Sequence, residues 1–166
     1  MEKRPTLIGA SVPRLDAVDK GRGEARYVDD LAFPGMLHVA VVRSPHPHAR
    51  VLSIDVSQAL GDPDVACVVT QRDVPGTNAV HVIYDDQPAL ANGIVRYIGE
   101  PVALVGATSR RAARRAALRV RVEYQPLSAV TDTRRAVEPD APIVCVAAAA
   151  ESGGNVFNRM VLAKGD

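Results

Sequence analysis

His46 and His48 stand two apart in Ser44-Pro45-His46-Pro47-His48-Ala49-Arg50, and in an extended segment that spacing turns both rings to one side. Two imidazoles could start a metal site. His38, His81 or a distant carboxylate would have to complete it, and no spacing selects among them, so surface or interface histidines are the plainer reading. The adjacent carboxylates Asp29/Asp30 and Asp85/Asp86 diverge in an extended chain, which suits turns better than acid/base work. Gly21-Arg22-Gly23-Glu24-Ala25-Arg26 begins like a dinucleotide fingerprint, but Arg26 occupies the third glycine position, no strand precedes it and no helical pattern follows. Neither a Walker loop nor a Gly-x-Ser-x-Gly elbow occurs.

Arg110, Arg111, Arg114, Arg115, Arg119 and Arg121 form one dense basic patch without stacking aromatics, so the charged outer face of an amphipathic helix accounts for it better than nucleic-acid binding. Glu100, held extended by Pro101, is a strand-start residue before it is an acid catalyst. Cys67 and Cys145 lie in the apolar runs VACVV and PIVCV, where small buried hydrophobes are expected. By residue type and spacing, no catalytic, cofactor-binding or metal-binding set assembles.

The elements around these residues follow from pattern. Residues 1–34 are rich in turn chemistry and poor in periodicity, predicting an irregular N-terminal arm. Strands are expected at Leu37–Arg43, Arg50–Asp55, Val65–Thr70, Ile94–Tyr97, Val102–Ala107 and Val120–Tyr124. Asp55 or Ser57 can cap a short helix that Gly61 ends. Thr108 or Ser109 caps a second helix to about Arg119, with Ala112, Ala113, Ala116 and Ala117 inward and arginines outward. Thr131 or Asp132 caps a last one through Val137, and the polar stretch 78–93 reads as an exposed excursion. Ala147–Ala150 and Ser152–Asn155 read as linker.

Composition bounds the rest. The 166 residues are 47% hydrophobic and 23% charged, enough to bury a single soluble core. Twenty Lys plus Arg against 19 Asp plus Glu leave a net charge of +1, so no global field draws in nucleic acid or an anionic membrane. Two cysteines supply no disulfide framework and suit a reducing compartment. The first residues lack the apolar run of a secretory signal, and no segment reaches the length of a membrane span, so a cytoplasmic protein is expected. Aromatic residues make up only 4%, which argues against a self-contained aromatic-walled ligand pocket.

One ordered set of motifs goes further. Pro13-Arg14-x-Asp16, Lys20, Gly23-Glu24-Ala25-Arg26-Tyr27, Asp30, Pro34-Gly35-Met36-Leu37-His38 and Arg43-Ser44-Pro45-x-x-His48-Ala49-Arg50 come first. Ile54-Asp55, Val65–Thr70, Asp73-Val74-Pro75-Gly76-x-Asn78, Arg96-Tyr97-x-Gly99-Glu100-Pro101-Val102-Ala103 and Val122-Glu123-Tyr124-x-Pro126-Leu127-x-Ala129-Val130-x-Asp132 follow. In this order and spacing, from Ile8 to Asp140, the chain resembles the start of the molybdopterin-binding subunit of the xanthine dehydrogenase and aldehyde oxidase family.

That resemblance implies an α+β fold, the a/b hammerhead domain, with a mixed sheet and two or three short helices. It implies an arm at 1–34, the hammerhead at 35–140, and a linker at 141–166 toward a molybdopterin-binding domain that is missing here. In such molybdenum hydroxylases a molybdenum-bound hydroxide, activated by a glutamate, attacks an electron-poor carbon, and electrons leave through iron-sulfur clusters, commonly to FAD. The family's molybdopterin-contacting segments, its glutamine near the metal and its catalytic glutamate lie beyond the hammerhead. The resemblance therefore implies that this chain has no catalytic, cofactor or metal residue of its own. Its implied partners are the molybdopterin-binding catalytic polypeptide and iron-sulfur and FAD subunits. Arg43, Ser44, His48, Gly99, Glu100 and Pro101 are the candidate subunit interface. A free-standing interaction module, binding through the Arg110–Arg121 face, is the alternative.

Overall fold

The computed structural model describes residues 8–80, 85–146, 153–156, 158 and 160–165. The chain divides into a unit of residues 1–36 and a unit of residues 37–166. The smaller unit departs from the irregular arm that its composition predicts. It holds α1 (Ala17–Arg22), which ends at Gly23 in the left-handed region at φ 71°. None of the residues of α1 is buried, so it carries no apolar stripe that a periodicity search could find. Local charge holds it instead, since Asp16 pairs with Arg14 and, across one turn, with Lys20 at 2.6 Å. The Gly-x-Gly at positions 21 and 23 thus closes a helix.

The larger unit carries the strands. β1 (His38–Arg43), β5 (Pro101–Ala107) and β3 (Val65–Thr70) form one three-stranded antiparallel sheet with β5 central. β4 (Ile94–Val95), β2 (Ala49–Asp55) and β6 (Arg121–Pro126) form a second, with β2 central. Three short helices accompany them: α2 (Ser57–Leu60), α3 (Arg110–Ala117) and α4 (Thr133–Ala136). This is the α+β hammerhead arrangement expected from the motifs.

The alanine face of α3 does what small residues permit. Ala112, Ala113 and Ala116 are buried, and the helix lies close on β1 and β5 with Val105 and Ala107 beneath it. Ser109 starts the helix by accepting from the Ala112 N–H at 3.2 Å, and Asp132 starts α4 by accepting from Arg134 N–H at 2.8 Å. Ile54 and Val122 of the second sheet pack against the buried groups around both Val102 and Val105, so the two sheets share one core.

Three expectations are corrected. Cys67 is exposed and Cys145 only half-buried. The irregular register between Val65 and Cys67 sends Val65 and Val68 toward α3 and leaves the Cys67 thiol on the opposite face. The strand expected to reach Tyr97 stops at Val95, because the Arg96 N–H bonds the Glu100 side chain instead of a ladder partner. The excursion before β4 is not wholly exposed. Leu90 and Ala91 are buried, and the Asn78 amide bonds both the carbonyl and the N–H of Leu90, at 2.7 and 3.1 Å. His81 and the linker residues Ala147–Ala150 and Ser152 lie outside the described residues.

Candidate functional site

Five of the six interface candidates converge at one corner of the domain. Arg43 ends β1 opposite Pro101, the first residue of β5. Ser44 N–H donates to the Glu100 carbonyl at 2.9 Å, and Gly99 N–H returns a bond to the Ser44 carbonyl at 2.8 Å. Arg43 Nη1 donates to the Gly99 carbonyl, also at 2.8 Å. Gly99 has φ 92°, a conformation that side-chain-bearing residues rarely adopt, and this lets the turn fold back on Ser44.

The Ser44 and Glu100 side chains at this corner point inward. Glu100 is 1% exposed, and its carboxylate accepts from the Arg96 N–H while Arg96 Nη1 stands 3.5 Å away. A buried carboxylate needs both a counter-charge and donors, and Arg96 supplies both. The Ser44 hydroxyl donates to the His46 carbonyl at 3.1 Å and accepts from the His46 N–H at 3.0 Å. Tyr124 packs edge-on against the His46 ring at 4.9 Å. Burial pushes the Tyr124 phenol up from its ordinary pKa, partly countered by its hydrogen bond with the Ser44 hydroxyl.

His48, the sixth candidate, is placed elsewhere. Its Nδ1 donates to the Ser128 carbonyl at 2.5 Å, and its own carbonyl accepts from Leu127 N–H at 2.9 Å. His46 and His48 are each engaged by separate neighbours and do not converge.

The arginine patch is also divided. Arg115 and Arg119 reach back to Asp62, which is 4% exposed, at 2.9 and 3.1 Å, and Arg115 also holds Asp64 at 3.0 Å. Backbone donation from Asp64 N–H, followed by the Arg115 guanidinium, holds the Asp62 carboxyl below its ordinary range despite burial. Asp62 was invisible to sequence reasoning because its arginine partners lie more than 50 positions away. Arg110, Arg111 and Arg114 stay exposed without ion pairs among the described residues.

A shallow recess of about 360 Å³ lies beside α4, lined by Asp86, Thr131, Asp132, Cys145 and Asn155 among others. Asn155 ties it together. Its amide donates to the carbonyls of Ala136 and Pro142 at 3.0 and 2.9 Å, and its side-chain oxygen accepts from Val144 N–H at 2.8 Å. Among the described residues no buried side-chain nitrogen or oxygen lacks a partner, and no three of His, Cys, Asp or Glu gather as a metal-binding group.

Short helices against two small antiparallel sheets, with polar groups used to close the turns between them, define an α+β hammerhead module. Residues 22–128 match the family model described as the a/b hammerhead domain of aldehyde oxidase and xanthine dehydrogenase, and the chain belongs to that family. It is 36% identical over 153 residues to a probable xanthine dehydrogenase subunit of Bacillus subtilis, covering 92% of this chain and 20% of that one. It is 33% identical to the nicotinate dehydrogenase large molybdopterin subunit of Eubacterium barkeri, covering 87% of this chain and 34% of that one. Among solved structures, quinoline 2-oxidoreductase from Pseudomonas putida 86 superposes with a TM-score of 0.74 at 42% identity, over 80% of this chain and 18% of that chain. The chain thus spans about a third or less of these relatives' lengths. Among the described residues no helix is long and apolar enough to cross a membrane.

Proposed function

We propose that this chain is the hammerhead subunit or fragment of a cytoplasmic molybdenum hydroxylase, completing the enzyme's structure while the molybdopterin-binding part of that enzyme performs the chemistry. The observation that carries this reading is the mutual bonding of the motif residues. Ser44, Gly99, Glu100 and Arg43 bond one another at the corner between β1 and β5, which makes them fold determinants. The complete enzyme would hold molybdopterin, iron-sulfur clusters and FAD outside this chain, and these would supply the redox chemistry. Residues 1–34 form an arm, 35–140 the hammerhead, and 141–166 the connection toward the molybdopterin-binding domain. Of the interface candidates Arg43, Ser44, His48, Gly99, Glu100 and Pro101, all but His48 shape one rim that meets that domain, with Arg43 exposed there, and His48 contributes from beside Ser128.

Co-expression with the molybdopterin-binding polypeptide of the same source tests this. The expected result is a stable complex containing molybdenum, whose hydroxylase activity falls when this chain is omitted. A chain that remains monomeric beside that polypeptide overturns it.

The second reading is a free-standing interaction module. It draws on Arg110, Arg111 and Arg114, which project from α3 without ion pairs among the described residues and suit an acidic protein surface.

A further inference from the structure

The two sheets differ in what they turn outward. The second sheet turns mostly polar side chains outward: Arg50, Ser53, Asp55, Arg121, Glu123 and Gln125 are exposed, with Leu52 the apolar exception at the irregular step in β2, and Ser53 Oγ donates to Glu123 at 2.8 Å. That is the pattern of an antiparallel sheet with one face in water. The first sheet carries apolar residues on both faces along most of its length. β5 reads Pro-Val-Ala-Leu-Val-Gly-Ala, without one polar side chain, as strands covered on both faces do.

Only one of those faces is covered by α3. On the other, the register sets Val39 beside Gly106 and Gly106 beside Cys67, then Val41 beside Leu104 and Leu104 beside Val69. Leu37 lies over the end of this face, where a Cβ on Gly106 would stand 3.6 Å from Leu37 Cδ1 and 2.8 Å from Cys67 Sγ. Leu37, Val39 and Val41 are 41%, 60% and 37% exposed. A contiguous apolar sheet surface of this kind marks an association site.

We infer that this outer face of the β1–β5–β3 sheet is where the molybdopterin-binding part of the enzyme packs, an inference that rests on the function proposed above. The relatives point to that occupant, because they carry the domain within much longer chains, one of them a large molybdopterin subunit. A domain embedded in such a chain has a covering surface at hand, and the apolar face is the part of this one unsuited to water.

The test uses the full chain co-expressed with the molybdopterin-binding polypeptide of the same source. Cys67 sits on the face, so its alkylation by a maleimide reports coverage, and peptide mapping separates it from Cys145. The expected result is Cys67 labelling about tenfold slower in the complex than in the isolated chain, with Val39→Asp plus Val41→Lys weakening the complex about tenfold or more. Arg110→Glu plus Arg114→Glu should leave it within about twofold. Both valines are exposed, so the double variant should fold. If its thermal melt says otherwise, the wild-type footprint decides. A tight complex in which Cys67 stays reactive overturns the docking face and leaves the proposed function standing. No complex with the wild-type chain overturns both. An isolated chain that is already dimeric, with Cys67 protected until the valines are replaced, assigns the face to a second copy and overturns the inference.

Discussion

Arg115 Nη2 lies 2.9 Å from Asp62 Oδ2, so the outward face of α3 is anchored to the turn between α2 and β3. The first titration prediction follows from this pair. The folded Asp62 carboxyl titrates below its ordinary value of 3.8, so its contribution to stability is complete above that value and is lost as pH falls through the folded pKa. Asp62→Asn should therefore lower Tm at pH 7, and the gap to wild type should close in acid melts below pH 3.8. A gap independent of pH would assign the loss to packing instead.

Glu100→Ala removes one partner of a buried ion pair and leaves the Arg96 N–H without its acceptor. The expected loss is about 3 kcal/mol in denaturant unfolding. Glu100→Gln, which keeps an acceptor, should recover a good part of it.

Gly99→Ala places a methyl group on a residue at φ 92° without any steric neighbour within 4 Å, so the cost is purely conformational. Equilibrium unfolding should show about 1–2 kcal/mol of destabilisation. A neutral result would mean that the turn can relax without breaking the Gly99–Ser44 bond.

Ala116 is fully buried where α3 meets the sheets. Ala116→Leu should overpack that contact and cost about 1–3 kcal/mol, whereas Ala117→Leu, at a half-buried position, should cost less. Thermal melts of the two variants rank them directly.

The interaction-module reading has its own test. Arg110→Glu plus Arg114→Glu removes outward charge without touching Asp62, so thermal stability should hardly change. An acidic partner bound through this face would lose affinity in that variant and, for wild type, with rising salt. Binding measured at two ionic strengths that is indifferent to both eliminates this reading.

Much of this protein was legible in its sequence because the signals are local. Val-rich runs broken by Pro45 and Pro101, the serine before α3 and the alanine stripe within it each act over a few residues, and the strand and helix order followed from them. The ordered motifs carried the family. What the sequence could not contain was the pairing of residues far apart. α1 escaped because ion pairs rather than buried apolar groups hold it. Asp62 met Arg115 only when β3 and α3 were brought together, dividing a patch of six arginines into anchors and exposed charges. Cys67 looked buried because its neighbours are apolar, yet one irregular step in the β3 register put it on the uncovered face. Periodicity records which residues avoid water; it does not record which side of a sheet this chain covers for itself.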